Sequence, residues 1–222
     1  MRFPGSLAAL GMTGEGATGR MPSFRFESQY EGLVVGIDEA GRGPLAGPVV
    51  AAAVIIDRTR VKRRLLSMLN DSKQLTPEER ERAYSALRDS EAITIGVGAA
   101  SARVIDRINV LQANFQAMVR AVHALNATPT FALVDGDRLP RKLPCPGLAV
   151  VKGDSKVYSI AAASIVAKVT RDRIMALLGQ RYPDYCWHQN AGYGTEIHLE
   201  AIGRLGATPH HQMSFSPFNR LL

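Results

Sequence analysis

Apolar and polar positions along this chain fall into runs of two kinds. LVVGI (33–37) and GPVVAAAVII (47–56) are β-branched, apolar and bounded by Gly and Pro, which predicts two strands of one sheet. Thr76-Pro77-Glu78-Glu79 opens a helix to about residue 88, with Thr76 as N-cap, proline at the first position and Glu79 closing a capping box. Strand character returns over 91–100 through Ile93, Ile95 and Val97. Ser101 begins a helical stretch that Asn109 recaps, and Leu111, Phe115, Met118, Val119, Val122 and Leu125 recur at helical spacing as its core face, with His123 at the surface or core edge. FALVD (131–135) and PGLAVVKGD (146–154) are further apolar runs, the second leading into a long helix over 155–179. Residues 1–30, rich in Gly, Ser, Thr and Met, read as a flexible tail without a signal peptide, and Met21 is an alternative start. No fixed-period repeat divides the rest, so 31–222 is expected to be one domain.

Three of these apolar runs end in acid: Asp38-Glu39, Asp135 and Asp154. Adjacent carboxylates at a buried strand end repel each other unless a cation or hydrogen-bond donors compensate, and acids from separate strand ends converge where α/β sheets gather ligands. The turn Gly41-Arg42-Gly43-Pro44 lets backbone approach a ligand and presents a guanidinium beside the acids. Plainer readings stand beside these: a solvated Asp-Glu pair, a turn at Asp135-Gly136 and a helix N-cap at Asp154.

Composition adds a partner class. Of 222 residues, 46% are hydrophobic and 21% charged, an ordinary globular balance. Lys and Arg outnumber Asp and Glu by 27 to 20, giving a charge of +7 and a pI near 9.7, which favours an anionic partner such as nucleic acid. The basic residues Arg58, Arg60, Lys62, Arg63 and Arg64 cluster as a solvated face. Cys145 and Cys186 form neither a disulfide framework nor a zinc signature, which fits a reducing cytoplasm. No apolar run reaches the roughly 20 residues of a membrane span.

GIDEAGRGPLAGPVVAAAV resembles the opening motif of bacterial ribonuclease HII, and further motifs follow in family order: Asp71-Ser72-Lys73, LVDG, VKGDSKVYSIAAASIVAKVTRDR and GYGTEIH. The resemblance covers about residues 32–218. It implies a ribonuclease H-like α/β fold, a mixed central sheet flanked by helices. It implies an endonuclease that cuts the RNA strand of RNA-DNA hybrids and single ribonucleotides embedded in duplex DNA, leaving 5'-phosphate and 3'-hydroxyl ends. Asp38, Glu39, Asp135 and Asp154 would hold two Mg2+ or Mn2+ ions, with Asp38 shared between them. Gly41, Arg42 and Gly43 would feel the 2'-hydroxyl, Tyr193 would pack on the deoxyribose at the RNA-to-DNA junction, and Lys73 and Lys156 would meet phosphates. Asp172 reads as half of a helix-surface ion pair with a neighbouring arginine, and His198, His210 and His211 form no regular metal signature. Gln212 stands where the family commonly has arginine, which leaves one backbone contact in doubt. Gly41-Arg42-Gly43 and the short tail favour type HII over the related HIII. The expected protein is a cytoplasmic monomer with no membrane partner. The competing class is a basic nucleic-acid-binding protein on the same fold, its acids reduced to caps and turns.

Overall fold

The computed structural model describes residues 21–216 and Phe218. Its centre is a mixed five-stranded sheet in the order β3-β2-β1-β4-β5. The strands are β1 Val34–Ala40, β2 Val49–Ile56, β3 Ile93–Ala100, β4 Phe131–Asp135 and β5 Gly147–Val150. β1, β2 and β3 pair antiparallel, whereas β1, β4 and β5 run parallel, so the last three bring their C-terminal ends to one edge of the sheet. Ile37 pairs with Val134, which sets Asp38 level with Asp135 on the neighbouring strand.

The helices are α1 Arg63–Leu66, α2 Pro77–Arg88, α3 Ala102–Ile108, α4 Val110–His123, α5 Tyr158–Arg181, α6 Trp187–Asn190 and α7 Glu196–Leu205. The predicted capping box of α2 is present in both directions: Glu79 N–H donates to Thr76 Oγ1 at 3.2 Å and Thr76 N–H donates to Glu79 Oε2 at 2.9 Å. Asn109 breaks α3 from α4 in a left-handed conformation and its Oδ1 accepts from Gln112 N–H at 3.1 Å.

Both faces of the sheet are covered at close range because small residues meet there. On one face, Ala161, Ala162, Ala163 and Ala167 of α5 pack with Ala52 and Val54 of β2 and with residues of α1 and α2. On the other, Ala113, Ala117 and Ala121 of α4 bury against the sheet, and a Cβ on Gly98 would meet the carbonyl of Ala117. The face of α4 is therefore turned from the expected one. Met118 and Val122 are fully buried, but Leu111, Phe115, Val119 and Leu125 are only partly so, and alanines make the closest line. Beyond the sheet, Leu45, Ala46, Met175, Tyr185, Trp187, Ala201 and Ile202 form a separate C-terminal cluster.

The tail boundary at residue 30 needs correcting. Residues 1–20 lie outside the described residues, but 21–30 are laid along the start of α5. Ser23 N–H donates to Lys156 O at 3.1 Å, and Tyr30 stacks on Phe131 with centroids 3.6 Å apart. Buried Glu27 accepts from both N–H and Oγ of Ser159 at 3.0 Å.

Candidate active site

Successive side chains of a strand point to opposite faces, so Asp38 and Glu39 cannot lie side by side. Asp38 is registered with Ala52, on the α5 face, and Glu39 with Ala51, on the α4 face. Both still reach the strand end, where Asp135 terminates β4.

Asp154 arrives by a different route from the one expected. β5 stops at Val150; Lys152 then takes a left-handed conformation at φ 54°, and Asp154 sits in a 3-10 turn, Gly153–Ser155. It is neither a strand end nor a helix cap, because Val157 is the N-cap of α5. The turn is held to β4 by Gly153 N–H, which donates to Asp135 Oδ1 at 2.7 Å. Asp38 and Asp154 are 5% and 8% exposed, which makes their charges expensive.

Asp38 feels the charges of the other three acids, which therefore lie near it. Burial, then repulsion from Glu39, Asp135 and Asp154, pushes the Asp38 carboxyl well above its ordinary range. Burial also raises Glu39, although Arg42 opposes this through a hydrogen bond from Nη1 to Oε1 at 3.1 Å. Asp154 is pushed up to about 6 by burial and by the Asp71 and Asp135 carboxylates. Asp71 is thus a fifth acid beside the group, visible in sequence only as the first letter of the 71–73 loop. That loop is fixed from two sides: Ser164 Oγ donates to Ser72 Oγ at 2.7 Å, and Arg80 Nε donates to Ser72 O at 2.8 Å. Burial works against the Lys73 ammonium, but Asp71, Asp38, Asp154 and Asp135 outweigh it and raise its pKa.

Among the described residues, no three His, Cys, Asp or Glu side chains close into a ready-made metal cage. The donor chemistry nevertheless fits a hard divalent cation. Carboxylate oxygens are held close together in a largely buried site, and magnesium keeps much of its water shell rather than requiring a full protein cage.

Burial, and after it mutual repulsion, makes the site costly without a cation. The folded-state pKa of Asp154 lies above its ordinary 3.8, so its contribution to stability is full below about pH 4 and is lost as pH rises through about 6. Asp154→Asn should therefore stabilise the chelator-treated protein near neutral pH by about 1–2 kcal/mol, with the gain shrinking toward pH ~4. Thermal melts across pH in a chelating buffer measure this, and a variant that melts with or below its parent at neutral pH would contradict it.

The family model for ribonuclease HII matches residues 35–218. The chain belongs to the ribonuclease HII family. It is 56% identical over 202 residues to the ribonuclease HII of Rhodospirillum rubrum, covering 91% of this chain and 92% of the relative. It is 55% identical to that of Paramagnetospirillum magneticum, covering 89% and 96%. The crystal structure of ribonuclease H2 from Pyrococcus horikoshii superposes with a TM-score of 0.70 at 31% identity, covering 85% of this chain and 96% of that one. A ribonuclease HIII crystallised with Mn2+ shares the fold with a TM-score of 0.66 at 22% identity, covering 85% and 68%. The chain is therefore a nuclease with a ribonuclease H-like fold.

The remaining family motifs surround the acids unevenly. Leu45 and Ala46 N–H donate to Gly192 O at 2.8 and 3.2 Å, joining the loop after Gly41-Arg42-Gly43 to the Gly192-Tyr193-Gly194 turn. A Cβ on Gly43 would lie 3.9 Å from Tyr193 Cε1, so the aromatic ring stands directly beside that loop, 48% exposed. Lys156 is tied elsewhere: its Nζ donates to Val151 O at 2.6 Å. Asp172 pairs with Lys168 at 2.6 Å and faces Arg80 at 3.7 Å, an ion pair as expected but with different partners from the neighbouring arginines.

Three buried residues behind these turns were not singled out as functional from the sequence. His198 Nε2 accepts from Trp187 Nε1–H at 3.0 Å, which places the His198 proton on Nδ1, where it donates to Tyr193 O at 2.8 Å. His211 Nδ1 accepts from Thr208 N–H at 2.8 Å, so its Nε2–H is the one that points at His198, 3.1 Å away. Both imidazoles are neutral in this arrangement, and burial lowers both pKa values, that of His211 to about 4. Arg171 is the third; its place in the α5 stripe Ala163, Ala167, Arg171, Met175 was a legible signal that it turns inward. Gln212, at the usual arginine position, donates from Nε2 to Gly47 O at 3.2 Å, while Oε1 is buried without a partner among the described residues.

Proposed function

We propose that this nuclease cuts the RNA strand of RNA-DNA hybrids and single ribonucleotides within duplex DNA, on the 5' side of the ribonucleotide. The products are a 5'-phosphate and a 3'-hydroxyl. The observation that carries the reading is the burial of Asp38 and Asp154 among other acids, where burial first and repulsion second hold both pKa values high. A binding protein for anionic nucleic acid gains nothing from such a cluster, whereas a hydrolase that recruits divalent cations needs it.

In this reading Asp38, Glu39, Asp135 and Asp154 would hold two Mg2+ or Mn2+ ions, with Asp38 the carboxylate that both would share. Bound there, such ions would supply activation of the attacking water and stabilisation of charge on the departing 3'-oxygen. Arg42 restrains Glu39 through their ion pair and presents its half-exposed guanidinium to the nucleic-acid backbone. Backbone groups of Gly41, Arg42 and Gly43 meet the 2'-hydroxyl, the group that separates RNA from DNA locally. The exposed Tyr193 ring packs on the following sugar and admits deoxyribose. Lys73, above the acids, screens them and meets a phosphate; Lys156 does so only by giving up Val151 O. Contacts of this kind make affinity fall as salt rises and leave base sequence unread.

The protein works as a monomer in the cytoplasm in this account. Cys145 and Cys186 are free thiols, and no helix among the described residues is long and apolar enough to cross a membrane. The test is a duplex carrying one ribonucleotide, incubated with protein and Mg2+ or Mn2+, with the product ends mapped. Cleavage 5' to the ribonucleotide, abolished by chelation and restored by added cation, is expected. Cleavage that persists in chelator, or equal cutting of the all-DNA duplex, would overturn the reading.

A further inference from the structure

We propose that Arg171 is a positioning residue that fixes the Tyr193 turn against the Gly41-Arg42-Gly43 turn, setting the spacing at which two consecutive sugars are checked. The proposal rests on the assignment of those turns to the two sugars. Arg171 is 1% exposed in the interior of α5. Its guanidinium donates from Nε to Pro48 O at 3.0 Å, from Nη2 to Ala46 O at 3.0 Å and from Nη1 to Ala191 O at 2.9 Å. Two acceptors belong to the loop that follows Arg42, and the third lies two residues before Tyr193. Among the described residues no carboxylate forms a salt bridge with this cation; Asp172, which it feels only at a distance, pairs with Lys168 and Arg80.

A buried charge paired only with carbonyls is a costly way to join two loops. What it provides is geometry: a planar fork whose donors diverge at fixed angles, which a lysine ammonium does not reproduce. The loop is shaped around the fork. Gly41 and Gly47 take φ of +99° and +93°; a Cβ on Gly41 would collide with Arg171 Nε, while one on Gly47 would collide first with Met175 Sδ and lie 3.2 Å from Nη2. Tyr193 gains from such an anchor, because its ring is half-exposed and is packed on one side only in part. Its backbone is fixed on either side, by Arg171 through Ala191 O and by His198 through Tyr193 O. Arg171 thus acts through the two turns and touches neither the acids nor the substrate.

The experiment compares junction preference, the ratio of kcat/KM on a single-ribonucleotide duplex to that on an all-RNA strand paired with DNA. Wild type, Arg171→Met, Arg171→Lys, Tyr193→Ala and Arg171→Met/Tyr193→Ala are measured with Mg2+, with thermal melts reporting folding. Arg171→Met should lower the preference about tenfold, less than the ~100-fold that a 1 Å misplacement can cost. Arg171→Lys, which keeps charge and stem, should fall between wild type and Tyr193→Ala, and it carries the test if the methionine variant does not fold. In the double variant the ratio should match Tyr193→Ala alone, because both changes remove one function. A purely structural arginine would slow both substrates equally and leave the ratio at the wild-type value, and losses that multiply in the double variant would equally overturn the proposal. An unchanged ratio in Tyr193→Ala itself would defeat the tyrosine assignment, and the positioning role with it; a change there but none in either Arg171 variant would defeat the positioning role alone.

Discussion

Asp38→Asn is expected to stop cleavage of an embedded-ribonucleotide duplex while the variant still binds that duplex. Asp38 is the acid at which the others converge: burial and the Glu39, Asp135 and Asp154 carboxylates all raise its pKa. Asparagine keeps the shape but supplies neither the negative charge nor a second hard oxygen, so the site loses the ligand proposed to be shared by both ions. The fall in kcat should be at least about 100-fold, the scale of losing one preorganised electrostatic group. Duplex affinity in a chelating buffer should hold or rise slightly, since Arg42 and Lys73 are untouched and one negative charge has left a site that faces phosphate. Single-turnover kinetics beside a filter-binding titration separates the two effects. Normal turnover by this variant would refute the metal assignment.

How far the site was legible in the sequence depended on whether a residue's role was local. Thr76 and Glu79 satisfy each other within one turn, and Asn109 interrupts a helix at its own position, so both could be read from spacing. The acids closing β1 and β4 were legible because an apolar run that stops at Asp is a local pattern. Their convergence was not, since it depends on β1 and β4 lying side by side and parallel in the sheet order. Asp154 followed the same apparent pattern but reaches the site through a left-handed Lys152, which carries none of the glycine or asparagine signal for such a turn. Arg171 and Glu27 were missed for a common reason. Their partners lie elsewhere in the sequence, three backbone carbonyls that accept from Arg171 and the Ser159 N–H that donates to Glu27, and no side-chain pattern announces a distant backbone acceptor or donor.

Gly36→Ala should be a severely damaging single-methyl change, although Gly36 carries no chemistry. A Cβ there would run into the Ser159 carbonyl group and the Ile160 nitrogen, backbone atoms of α5 that cannot swing aside as a side chain does. Accommodating it means lifting the start of α5 off β1, and the turn holding Asp154 lies just before that point, while Asp38 follows Gly36 by two residues on the same face of the strand. The expected cost is about 3 kcal/mol, the upper end of overpacking penalties, or a fall of roughly 6–12 °C in Tm for a chain of this size. Activity measured well below the new Tm should still be reduced, because the gap between Asp38 and Asp154 widens even in molecules that remain folded. Gly203→Ala is the matching control. Gly203 lies within α7 with nothing near its missing Cβ, so alanine there should add about 0.5–1 kcal/mol of stability and leave cleavage unchanged. If Gly36→Ala melts with the wild type and cleaves at the wild-type rate, then the close approach of α5 to β1 is not what holds the acids together.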